Sequence, residues 1–264
     1  MKKQLQIGNI IALIAVIAIN YLSNTGAIAD RNIGEVSDDL NNLFTPAGYT
    51  FSIWGLIYLL LLGFGVYQAR SLWNKNADDS FVTDVGWWFI ISCAANCLWI
   101  VCWLNLWVGW SLIVMLILLI SLLMIVLKNR MELWDAPNPT IFFLWWPFVI
   151  YSGWITVATV ANFAAYLTWT NWNGWGVDEH TWTVVMIGIA GLINLVVTWR
   201  RNMREFALVG AWALFGIAAA NEVTDPGIAQ TAIITAVILL LSSASHGLIN
   251  WKTSPIYRMI KPKK

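Results

Sequence analysis

The chain has 264 residues and a mass of 29.7 kDa; 59% are apolar and 11% charged, with 19 Trp, 15 Lys and Arg, 14 Asp and Glu, and 2 His. Soluble domains are about 45–50% apolar and about 25% charged, so a disordered chain, a nucleic-acid binder and an ordinary globular enzyme are excluded. An integral membrane protein is indicated.

A membrane helix takes about 20 mostly apolar residues, with a range of about 17–25. Eight candidates lie at or near this length, in chain order roughly 7–22, 51–68, 85–104, 110–127, 141–167, 182–199, 206–221 and 228–249. None alternates apolar and polar residues as barrel strands do. The expected fold class is all-α: a polytopic membrane helix bundle of about eight transmembrane helices.

The net charge of +1 is a cancellation. Lys2, Lys3, Arg70, Lys75, Lys128, Arg130, Arg200, Arg201, Arg204, Lys252, Arg258, Lys261, Lys263 and Lys264 all fall in loops or tails on one side of the spans. The other side has Arg31 alone, with Asp30, Glu35, Asp38, Asp39, Asp178, Glu179, Glu222 and Asp225. Cytoplasmic loops retain Lys and Arg. A multi-pass protein of the inner (plasma) membrane with both termini cytoplasmic is therefore expected. A competing reading takes the first span, with Ala27-Ile28-Ala29 after it, as a secretory signal whose cleavage leaves seven helices beginning after Ala29.

No Asp, Glu, Lys or Arg lies in the middle of a span. Such residues mark proton relays and ion paths, so an ion-coupled pump or voltage-gated channel is disfavoured. His180 and His246 are expected on opposite faces, and Cys93, Cys97 and Cys102 share one span without a metal-binding spacing. No catalytic residue, metal ligand or cofactor is assigned.

Much of the Trp content fits interfacial belts. Three runs differ. In the second span Ile53-Trp54-Gly55-Leu56-Ile57-Tyr58 follows a loop containing Pro46. In the third, Asn96 precedes Trp99 and Trp103. In the fifth, Trp154, Ala158 and Asn162 form one stripe at successive i+4 steps. Small residues and Asn at such spacing also serve plain helix packing.

These runs, in this order, resemble those of the tryptophan-rich sensory protein family, also called the translocator protein or peripheral benzodiazepine receptor family. The resemblance covers residues 1–167, an expected five-helix translocator-like core, and leaves 168–264 as three additional helices with a basic tail. It departs in having one Pro46 where the family has several, Ser52 where Pro is usual, and Pro147 further from Trp154.

The resemblance implies a pocket for a flat hydrophobic molecule, porphyrin-like or isoprenoid- or sterol-like. Pro46, Trp54, Tyr58, Asn96, Trp99, Trp154, Ala158 and Asn162 are the ligand-binding residues it implies, and the acidic loop 24–49 is the expected side of access. The expected partners are that hydrophobic small molecule and membrane lipids, with no nucleic acid; the last three helices either shield one side or make a homo-oligomer contact. A non-enzymatic receptor or carrier is favoured over a membrane enzyme modifying a tetrapyrrole or lipid, or a scaffold. A segment in the seventh span, Gly210 to Asn221, echoes Gly153 to Asn162, but Trp and Asn are nine residues apart there and eight here, so the echo is read as coincidence.

Overall fold

The computed structural model describes residues 1–40, 42–74, 76–251, 257 and 260, and among them all regular structure is helical. The helices are α1 (Lys2–Leu22), α2 (Ile33–Asp39), α3 (Ile53–Ala69), α4 (Phe81–Val85), α5 (Trp88–Leu104) and α6 (Val108–Lys128). After these come a single turn, α7 (Asn138–Thr140), then α8 (Trp146–Trp169), α9 (Glu179–Arg201), α10 (Arg204–Asn221) and α11 (Pro226–Ile249). The eight long helices among them follow the expected spans in order.

Six helical stretches are long and apolar enough to cross a membrane by themselves: Lys2–Leu22, Gly48–Leu72, Val108–Lys128, Asn138–Trp169, Glu179–Arg201 and Pro226–Ile249. Helix α5 is apolar but has 17 residues, about 25 Å at about 1.5 Å per residue. Helix α10 opens on Arg204 and Glu205 and is rich in Ala and Gly; it is packed against α8, α9 and α11, so less of it needs to face lipid.

The surface is apolar and the interior holds amides. Ile7, Ile11 and Ile14 of α1, Leu59, Leu62 and Val66 of α3, and Val185, Ile189, Leu192 and Val196 of α9 form outward stripes at helical spacing. Gln6, Asn9, Asn20, Gln68, Asn96, Asn162, Asn194 and Asn221 are buried. In lipid an outward Leu or Ile is already solvated, whereas every polar group must find an internal partner.

Those partners tie α1 into the bundle. Gln6 Nε2 donates to the Gln68 carbonyl at 2.6 Å, Gln68 Nε2 returns a bond to the Gln6 carbonyl at 3.0 Å, and Asn20 Nδ2 donates to Asn96 Oδ1 at 2.8 Å. Loss of α1 by cleavage would strip Gln68 and Asn96 of these partners. Small residues bring the later helices together: a Cβ at Gly210 would collide with Asn194, and Gly153 sits against Phe206 and Val209.

Three features differ from the sequence expectation, each for a local reason. Gly86 adopts φ +52°, a conformation cheap only for glycine, and it separates α4 from α5, so the third span starts at Trp88 rather than at 85. Pro147 has no N–H and its ring conflicts with the carbonyl four residues back; just before it, Ile141–Trp145 widens into a π-helical turn. Helix α2 was not anticipated from hydropathy. A capping box starts it: Asn32 Oδ1 accepts from Glu35 N at 3.0 Å and Glu35 Oε2 accepts from Asn32 N at 2.8 Å.

The loops form two groups. At one end Lys2 pairs with Asp79 at 2.7 Å, Arg201 reaches the Met131 carbonyl at 3.4 Å, and His246 meets Asn202 at 3.2 Å. At the other, Arg31 pairs with Asp39 at 2.8 Å and His180 with Asp225 at 2.7 Å. Lys75, Lys252, Arg258, Lys261, Lys263 and Lys264, used in the charge argument, lie outside the described residues.

Candidate ligand pocket

Helices α3, α5 and α8 meet below the loop that joins α1 to α3. The space left between them is a cavity of about 50 Å³, lined by Pro46, Phe51, Trp54, Trp99, Trp103 and Trp154 together with the small face Ala158, Ala161 and Ala165 of α8. Ile33 and Ser37 of α2, with Leu40 and Thr45, close it from the loop side.

The helical repeat explains the lining. On α8, Trp154, Ala158, Ala161 and Ala165 recur at steps of three and four residues and so share a face; on α5, Trp99 and Trp103 are one turn apart and stack at 5.7 Å. Opposite them Trp54 meets Trp154 edge-on at 6.3 Å and Tyr151 at 5.7 Å, while Phe51 abuts Trp154 at 6.0 Å. The alanines leave the room that these rings border.

A second, wider cavity of about 420 Å³ lies on the α1 side, lined by Asn20, Asn24, Asn32, Gly48, Tyr58 and neighbouring residues. Ile33, Phe51 and Trp54 line both cavities. They are the wall between an apolar inner chamber and a more polar outer one.

Of the eight residues singled out from the sequence, Pro46, Trp54, Trp99, Trp154, Ala158 and Asn162 border the inner chamber. Tyr58 borders the outer one, stacked on Trp54 at 5.5 Å. Asn96 reaches neither: it accepts from Asn20 and donates to the Tyr151 hydroxyl at 2.8 Å, so it braces the wall from behind. Asn162 is also engaged. Its Oδ1 accepts from Trp99 Nε1 at 2.9 Å and its Nδ2 donates to Ser111 Oγ at 3.0 Å.

The indole N–H groups divide the same way. Trp99 gives its proton to Asn162, and Trp103 gives its own to the Ile33 carbonyl at 3.2 Å. Trp154 Nε1 is buried with no partner among the described residues. A buried donor left unmade costs about 1–3 kcal/mol. An unsatisfied donor thus lies on a residue of the apolar wall.

Residues missed from the sequence are Ile33, Ser37, Leu40, Thr45, Phe51, Met115 and Val157, with Trp103, Ala161 and Ala165. The last three continue the helical stripes of Trp99 and Trp154 and could have been added from spacing alone. The loop residues could not, because a tertiary fold brings them over the cavity.

No curated protein and no solved structure matches the chain. A sequence model of TSPO-like proteins does match, over residues 6–245, which takes in all eight long helices except the first turn of α1 and the last turn of α11. The chain therefore belongs to the TSPO-like protein family.

Proposed function

We propose that the protein is a non-enzymatic membrane receptor or carrier for a flat hydrophobic molecule, porphyrin-like or isoprenoid- or sterol-like, held between α3, α5 and α8. The observation that carries this reading is the Trp-walled chamber in which the Trp154 N–H has no partner. Aromatic faces stack on planar guests, and a single unsatisfied donor in an apolar cavity gives orientation.

Size bears on how the guest is admitted. Ligand sites occupy about 300–1,000 Å³, far above the roughly 50 Å³ of the inner chamber. The outer chamber of about 420 Å³ is within that range, so a guest that also reaches Trp154 and the alanines of the inner chamber requires Trp54 and Phe51 to swing aside and open the inner chamber toward the loop side. By the positive-inside rule, the acidic loops, and so this access route, face away from the cytoplasm, and both termini face it.

Titration of the purified protein with protoporphyrin IX, followed by tryptophan fluorescence, tests the reading. Saturable quenching that weakens in a Trp54→Phe, Trp154→Phe double variant supports it; quenching that never saturates, or is indifferent to both substitutions, refutes it.

A further inference from the structure

The loop over the cavities is held by helices that contribute nothing to their walls. Leu43 N donates to Glu179 Oε1 at 2.9 Å, at the start of α9, and the Leu43 carbonyl accepts from Asn221 Nδ2 at 2.9 Å, at the end of α10. Ala47 N donates to the Gly216 carbonyl at 3.0 Å, and the Thr50 carbonyl accepts from Trp212 Nε1 at 3.0 Å. Tyr49 packs edge-on against Trp212 at 5.5 Å. Gly216 itself is required, because a Cβ there would overlap the Thr50 side chain.

Among the described residues, and apart from the bonds by which Ile53 continues the turn at 48–52 into α3, the hydrogen bonds that reach the backbone of residues 42–52 from outside that segment come from α9 and α10. The segment is the lid: Thr45, Pro46 and Phe51 line the inner chamber, and Gly48 and Phe51 the outer. The Trp and Asn of α10 that echo those of α8 are thereby accounted for. Trp212 and Asn221 lie nine residues apart, and both reach the lid backbone.

We infer that α9 and α10, with α11 packed behind them, form an anchor for the lid of the ligand pocket. Glu179, Trp212, Gly216 and Asn221 act as positioning residues that set how far Phe51 and its neighbours can move, and hence how fast a flat guest leaves. The inference rests on the pocket reading for its functional consequence, but its structural half stands apart from any ligand.

The two halves separate in one experiment on the full-length protein in lipid nanodiscs, combining amide hydrogen exchange with protoporphyrin IX release. In a Trp212→Phe, Asn221→Leu variant, exchange across residues 42–51 rises about tenfold while α5 and α8 keep their wild-type protection, and protoporphyrin leaves several-fold faster. Glu179→Leu, on the exposed first turn of α9, loosens the same segment. Glu179→Gln keeps an acceptor oxygen and restores wild-type behaviour. Unchanged exchange at 42–51 overturns the anchor, as does an equal rise in α5 and α8, which signals general loosening. Absence of protoporphyrin binding in the wild type, with the exchange pattern as expected, overturns the pocket reading and leaves the anchor standing.

Discussion

The Trp99 indole on α5 donates to the Asn162 side-chain oxygen on α8 at 2.9 Å, across the far wall of the chamber. One bond thus fixes a ring face and satisfies its donor. Interhelical hydrogen bonds in membranes average about 0.6 kcal/mol and reach about 1.7. Asn162→Leu breaks the bonds to both Trp99 and Ser111, so a loss of about 1–2 kcal/mol in thermal or denaturant stability is expected, with the Trp99 ring free to reorient. A variant as stable as wild type would show that the bond does not hold the wall.

Trp154 behaves in the opposite sense. Its N–H has no partner among the described residues, so Trp154→Phe removes an unsatisfied donor while keeping an aromatic face. Stability is expected to change by less than about 1 kcal/mol, since the lost area is partly offset by the relieved donor. Affinity for protoporphyrin IX is expected to fall about tenfold, the cost of one hydrogen bond. Unfolding and binding measured on one preparation separate the two effects.

Ala158 tests occupancy. It lies on the small face that leaves the chamber open, so Ala158→Phe fills the space with the protein's own atoms. Overpacking a closed core costs about 1–3 kcal/mol, and a void softens that cost. The expected outcome is a folded protein that no longer binds. Retained affinity would move the guest to another place.

The tie between α1 and the loop before α4 gives a pH dependence. The Lys2 ammonium and the Ser71 hydroxyl, hydrogen-bonded to Asp79 at 2.7 and 2.9 Å, hold its carboxyl below the ordinary carboxylate range. A depressed value means that the tie contributes fully above the unfolded carboxylate value of about 3.9. It is lost only as pH falls through the lower folded value. Amide protection in residues 76–80, taken relative to the unstructured rate at each pH, is expected to be unchanged from pH 7 to 5 and to fall only below about 4. Release already near pH 5, or no effect of Asp79→Asn at pH 7, would contradict the tie.

Hydropathy made all eight long helices legible because lipid demands unbroken apolar length. Boundaries are harder to read where the backbone, rather than composition, decides: Gly86 and Pro147 are visible as residues, but the positive φ and the π-turn they accompany are properties of the folded backbone. Helix α2 was readable from Asn32 and Glu35 as a capping box, a signal independent of hydropathy. In the pocket, residues in helical register with a recognised motif were legible, as Trp54, Trp99, Trp154 and Ala158 were. Asn96 was not, because the same helix face serves both the chamber and the brace behind it, and only Asn20 and Tyr151 decide which. The lid and its anchor depend on contacts such as Thr50 with Trp212, 162 residues apart, beyond the reach of any local pattern.

The most direct test of the pocket is an experimental structure determined with protoporphyrin IX bound. The expected result is a macrocycle between the Trp99–Trp103 stack and Trp154, with Trp54 and Phe51 displaced and the two chambers merged. A macrocycle lodged instead in the outward-facing groove of about 1,050 Å³ lined by Leu116, Phe163, Trp182 and Met186, with the inner chamber still closed, would contradict it.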